Sequence, residues 1–236
     1  KSISNSVAVQ VKDSWWKPST TGNKRIMLCG TYPIAASNGY SKVVYYISKF
    51  LGIHEDIDLT IYGFQNFSHT SGANIRSLPP RVKLHDAYAT EDPKRNGFGE
   101  LEITKYVKEN PQDVIIVFND NIITSAITAN LVKDCWSEKK NFRLVSYMDQ
   151  VYPYQKKEYI QLLNQYFDAV IAFTPYWEGI ARKLGIRDSM PMYSFPHGFD
   201  ETLYYPVPIK LCRMFHNFDY DAFMVLNLNR NQPRKR

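Results

Sequence analysis

Residues 113–150, DVIIVFNDNIITSAITANLVKDCWSEKKNFRLVSYMDQ, decide the fold. Asp113 to Phe118 reads as a buried strand with the continuously apolar run VIIVF, Ile122 to Trp136 carries apolar residues at helical spacing, and Phe142 to Tyr147 is a second strand-like run. A strand that is apolar at every position must be covered on both faces. VIIVF and, further on, AVIAF are such strands, each separated from the next by ten or more helical residues, which implies a parallel sheet.

The alternation continues outward in both directions. Downstream, a helix is expected over Lys156 to Phe167, a strand over Ala169 to Phe173 (AVIAF), a helix over Tyr176 to Leu184 and a strand over Met192 to Phe195. Upstream, Glu100 to Glu109 reads as a helix. Residues 64–98 form a long irregular region with Pro79, Pro80 and Pro93 and one strand at Val82 to Leu84, and Ile57 to Tyr62 reads as a strand closed by Gly63. Before them, Arg25 to Leu51 reads as strand, glycine loop and helix: Arg25 to Cys29 is closed by Gly30, and Val43, Val44, Ile47, Phe50 and Leu51 recur at helical spacing in a helix starting near Ser41. The fold class is therefore α/β, a doubly wound, Rossmann-like parallel sheet with helices on both faces.

Ligands of such sheets sit outside the carboxyl ends of the strands, which narrows the search to a few positions. Asn38, Gly39 and Tyr40 follow the first strand. The first N–H groups of the next helix point at that loop and make a seat for an anion such as phosphate, although a loop glycine more often serves turn geometry alone. Asn119, Asp120 and Asn121 follow VIIVF. Met148, Asp149 and Gln150 follow the strand at Leu144, Thr174 and Pro175 follow AVIAF, and His197, Gly198, Phe199 and Asp200 come last. Asp120 and Asp149 face one crevice from different strands, which suits orienting a hydroxyl or taking its proton. Helix capping is the competing reading for Asp120. It explains Asp149 less well, because Val151, Tyr152 and Pro153 intervene before the next helix. A structural role competes for His197.

Composition sets the outer bounds. At 236 residues, 44% hydrophobic, the chain buries a substantial core in one large domain or in one domain plus part of another. The net charge of +6 and the pI near 9.0 are spread along the chain, with Arg234, Lys235 and Arg236 the only dense run, so no nucleic-acid partner is expected. Cys29, Cys135 and Cys212 are odd in number and far apart, and form neither a CxxC pair nor a disulfide framework. A reducing, cytoplasmic setting is expected. No apolar run of membrane-spanning length and no leader is found, so no membrane span is expected. Residues 1–24 read as a polar arm or linker containing Trp15 and Trp16, which must pack on their own domain or on a neighbour. An opening on Lys1 rather than Met suggests a fragment.

Residues 211–236 read as a linker followed by the first strand of a further domain, with the strand at Asp221 to Leu228. The main domain spans 25–210. Over this range the sequence resembles the N-terminal half of GT-B glycosyltransferases of the retaining family 4 type, from about Arg25 to the end. The resemblance is carried by the glycine loop with Asn38 and Gly39, by TPYWEGIARKLG after AVIAF, by FPHGFDETLYYP in place of the family's "NGVD…F.P" turn and by VLNLNRNQPRKR in place of its "GR….KG" stretch. The spelling NRN..RKR is similar to glycosyltransferases of large DNA viruses.

The resemblance implies a donor that is a nucleotide-diphosphate sugar, a carbohydrate or glycan acceptor, and a second, C-terminal domain that completes the crevice. It implies retaining transfer with no metal and no further cofactor. By motif position, Arg230, Lys235, Gly39, Asn38 and His197 bind the donor, and Asp149 and Asp120 stand where many members place a histidine. A diphosphate needs cationic partners and backbone N–H groups together. The chain alone is expected to be the inactive acceptor-side half, and a non-catalytic sugar- or nucleotide-binding module with the same fold is the alternative.

Overall fold

The computed structural model describes residues 14–34, 38–67, 76–150, 152–198, 200–202 and 204–226. Seven parallel strands form one sheet: β1 (Lys24–Thr31), β2 (Ile57–Phe64), β3 (Lys83–Asp86), β4 (Val114–Asn119), β5 (Arg143–Met148), β6 (Ala169–Ala172) and β7 (Met192–Ser194), in the order β3-β2-β1-β4-β5-β6-β7. The order reverses between β1 and β4, so their carboxyl ends diverge into a crevice there.

Side-chain alternation along the central strands builds two cores. Met27, Cys29, Ile115, Val117, Leu144 and Met148 face one layer. That layer receives Ile103 and Val107 of α3 (Ile103–Glu109), Ile127 and Leu131 of α4 (Asn121–Cys135), and Leu163 of α5 (Lys157–Tyr166). Leu28, Leu59, Ile61, Phe118 and Tyr147 face the other, under Val44 of α1 (Gly39–Leu51). Each such side chain, fully buried, contributes about 1.5–3 kcal/mol, and the central strands collect it on both faces, which explains why VIIVF has no polar side. The doubly wound sheet with helices on both faces is thus observed. Gly30 is required by packing: a Cβ there would come within 2.6 Å of Val44 Cγ2, so only glycine lets α1 lie this close on β1.

The tryptophans before β1 pack on their own domain. Trp15 lies 6.4 Å from Phe142, and Trp16 donates its indole N–H to the Gln112 carbonyl at 3.0 Å beneath the Arg25 guanidinium. Arg25 in turn pairs with Asp113 at 2.8 Å, tying β1 to the start of β4. Residues 1–13 of the expected arm lie outside the described residues. Two short helices fall where none was expected, α2 (Ala87–Thr90), capped by Asp86, and α7 (Ile209–Phe215), in the region read as linker. A sixth helix, α6 (Pro175–Lys183), follows β6.

The strand expected over Asp221 to Leu228 is not formed over 221–226, and residues 227–236 lie outside the described residues. A strand needs a ladder partner, and an apolar run alone does not supply one. The chain divides into two compact units, one ending at Gly198 and a smaller one from residue 199.

Candidate functional site

The crevice is built by the loop ends of β1, β4 and β5. At the first of these, Asn38 adopts an extended backbone and caps α1, its Oδ1 accepting the Ser41 N–H at 2.9 Å while Ser41 Oγ donates to the Asn38 carbonyl at 2.9 Å. The helix therefore starts at Gly39 rather than near Ser41. Gly39 is ordinarily helical, without positive φ, and a Cβ there would meet nothing within 4 Å. Among the described residues no neighbour requires a glycine there.

Tyr40, the next residue, turns inward. Its ring packs at 5.6 Å on Phe118 of β4, and its hydroxyl donates a short hydrogen bond to Asp149 Oδ2. Asp149 stands just past β5, and its backbone N–H continues the ladder to the Asn119 carbonyl at 3.1 Å, which places the residue at the strand end. Asp120 is held differently. Its Oδ1 accepts the N–H groups of Ile122 and Ile123 at 2.9 and 3.0 Å, capping α4. The two carboxylates thus differ: Asp120 is engaged by backbone N–H groups and Asp149 by the Tyr40 side chain.

His197 completes the group. Its ring stacks on Phe173 at 5.1 Å and meets the edges of Phe118 and Tyr147 at 5.7 Å. Burial among these rings holds its pKa below the ordinary histidine value, opposed by the negative charge of Asp149, so the neutral imidazole predominates near pH 7. Burial, with Asp149 adding to it, pushes the Tyr147 phenol up to about 12. Tyr147 therefore stays a neutral donor, to the Phe195 carbonyl at 2.8 Å.

Two clefts open on this group. The larger, about 290 Å³, is lined by Thr31, Tyr40, Gln65, Phe98, Asn119, Asp120, Ile122 and Ile123. The smaller, about 200 Å³, is lined by Gly39, Tyr40, Val43, Phe118, Asp149 and His197. Asn38, Gly39, Asp120, Asp149 and His197 thus gather at one edge of the sheet, whereas Arg230 and Lys235 lie outside the described residues.

Two residues at this edge carried no assignment in the sequence. Tyr40 stood among the strand-end positions without a role. Arg76 lies in the irregular 64–98 region, yet its Nη1 donates to the Pro33 carbonyl at 2.8 Å and to Ser41 Oγ at 3.3 Å, with the guanidinium over the Tyr45 ring. This puts a cation beside the first turn of α1, and no local pattern signals it. Among the described residues no group of three or more His, Cys, Asp or Glu side chains is placed to hold a metal ion, and no helix is long and apolar enough to cross a membrane.

No protein-family model matches the chain, and no curated protein does. Among solved structures it is similar to HepE of Anabaena in complex with UDP-glucose, at 13% identity and a TM-score of 0.49, over 82% of this chain and 50% of that one. The same protein with UDP and glucose gives 13% and 0.49, and with UDP 14% and 0.47. The chain spans about half the length of these structures.

Proposed function

We propose that residues 25–210 are the acceptor-side domain of a GT-B glycosyltransferase, of the retaining family 4 type, that moves a sugar from a nucleotide-diphosphate sugar to an acceptor hydroxyl without a metal ion. The observation that carries the reading is the meeting, at the switch point of the sheet, of the Asp149 carboxylate, which accepts the Tyr40 hydroxyl, with the capped start of α1. Asp149 supplies the acceptor for a substrate hydroxyl proton, and the first turn of α1, with Arg76 beside it, supplies the anion seat.

In the proposed reaction the bond between the anomeric carbon and the diphosphate oxygen breaks, and a bond from that carbon to the acceptor oxygen forms on the same face. The acceptor proton leaves toward Asp149 or the departing phosphate, and the diphosphate keeps the electron pair. Arg230 and Lys235 neutralise it, and a second domain closes the crevice over it. Asp120 serves as the cap of α4 and as a polar group of the larger cleft. Neutral His197 presents one face of the smaller cleft to the sugar.

The test is a screen of nucleotide-diphosphate sugars against the full-length parent polypeptide, measuring release of nucleoside diphosphate together with a new glycoside. Both products are expected for at least one donor. Binding of a nucleotide sugar without turnover would favour a non-catalytic module, and neither binding nor turnover would end the reading.

A further inference from the structure

Tyr40 is the residue common to both clefts. It contributes to the lining of each, and its hydroxyl donates to Asp149 Oδ2. Asn38 pins the backbone beneath it by capping α1, so rotation of the side chain alone moves the ring. The larger cleft pairs an apolar wall, Phe98, Ile122 and Ile123, with the polar groups of Asp120, Asn119 and Gln65. Such a cleft fits a pyranose ring, whose C–H face lies on apolar side chains while its hydroxyls meet amides and a carboxylate. The wall is fixed from behind. The Gly97 carbonyl accepts the Gln65 N–H at 2.6 Å, the Gly99 N–H donates to Glu91 Oε1 at 3.1 Å, and Phe98 packs at 5.6 Å on Phe64.

We propose that Tyr40 is a specificity-determining partition whose phenol stands in for the acceptor hydroxyl: a hydroxylated sugar ring entering over Phe98 and Ile122 displaces it from Asp149 and joins the two clefts into one acceptor site. The inference rests on the proposed glycosyl transfer. Exchange of one hydroxyl donor for another on the same carboxylate conserves the hydrogen bond, so the phenol acts as a competitor to the acceptor rather than as a barrier. The size of the acceptor is set by how far the ring of Tyr40 can move.

The experiment compares wild type, Tyr40→Phe and Tyr40→Ala in the full-length parent polypeptide. It uses a panel of free monosaccharides and disaccharides as acceptors at saturating donor. Tyr40→Phe keeps the partition but removes the competing hydroxyl, so the acceptor KM falls about tenfold with kcat within about twofold. Tyr40→Ala removes the partition, so the preference for disaccharides over monosaccharides, as a ratio of kcat/KM, rises about tenfold. A Tyr40→Phe enzyme with a raised acceptor KM or a collapsed kcat overturns the inference, because the phenol would then be holding Asp149 for the reaction. An unchanged acceptor preference in Tyr40→Ala overturns the partition. A wild type that transfers to no acceptor removes the glycosyl-transfer reading itself, and this inference with it.

Discussion

The strands of the sheet and the segment 200–226 both carry many apolar residues, with opposite fates. In the sheet, Leu28, Ile115, Val117 and Leu144 are fully buried, each between a strand neighbour and a helix. In the C-terminal segment, Phe215, Phe223 and Val225 are 81%, 93% and 83% exposed. Arg213 organises that segment by donating to the carbonyls of Asp219, Tyr220 and Ala222, a polar clamp where the main domain uses a hydrophobic core. Apolar sequence becomes stable structure only where a second layer of the right period lies within reach.

The largest effect that could break this contrast is on stability. Leu144→Ala near the start of β5 should cost about 2–5 kcal/mol, read as a lower urea midpoint at unchanged m-value, while Phe223→Ala should stay within about 0.5 kcal/mol. Equal losses would mean that the C-terminal segment is packed as tightly as the sheet.

Next in size is the helix cap at the carboxyl edge of the sheet. Asp120→Ala removes the acceptor for two N–H groups and should cost about 1 kcal/mol, with Asp120→Ser recovering most of it. Failure of serine to restore stability would assign Asp120 more than capping.

A gentler effect follows from two partly desolvated imidazoles. His85 lies between the rings of Tyr62 and Tyr106, and burial lowers its pKa, as it does for His197. Both are neutral in the folded chain and protonated in the unfolded chain below about pH 6.5, so their contribution is complete above that value and is lost as pH falls through the lowered folded values. The melting temperature should therefore decline below about pH 6.5, and His85→Gln should flatten the decline. A slope unchanged by the substitution would place the titrating group elsewhere. The smallest effect is at Gly39. A Cβ there meets no neighbour, so Gly39→Val should change stability by less than about 0.5 kcal/mol while weakening nucleotide-sugar binding in the full-length parent. A loss of stability as large as the loss of binding would make this glycine structural.

The order of elements was legible because VIIVF and AVIAF are apolar on both faces, a pattern that only a covered parallel strand satisfies. The gathering of Asn38, Gly39, Asp120, Asp149 and His197 followed from the same topology, since strand-end positions converge wherever strands are parallel. Less was legible in the side-chain partners. The Tyr40 hydroxyl reaches a carboxylate 109 residues away, and Arg76 reaches Ser41 across 35, distances over which composition and spacing carry no signal. Asp120 was ambiguous for a definite reason, because a carboxylate after a strand and before a helix satisfies both a cap and a site. The strand-like run from Asp221 misled because β-propensity reports fit to a sheet surface, and residues 221–226 have none to pair with.

The central claim is that Asp149, rather than Asp120, is the carboxylate that meets the acceptor. It is tested most directly by transfer rates of Asp149→Asn and Asp120→Asn in the full-length parent polypeptide, each at saturating donor. Asparagine keeps the shape of both side chains and can still cap α4, so Asp120→Asn should stay within about threefold of wild type, whereas Asp149→Asn should fall by about a hundredfold or more. Equal losses at the two positions, or the larger loss at Asp120, would contradict the account.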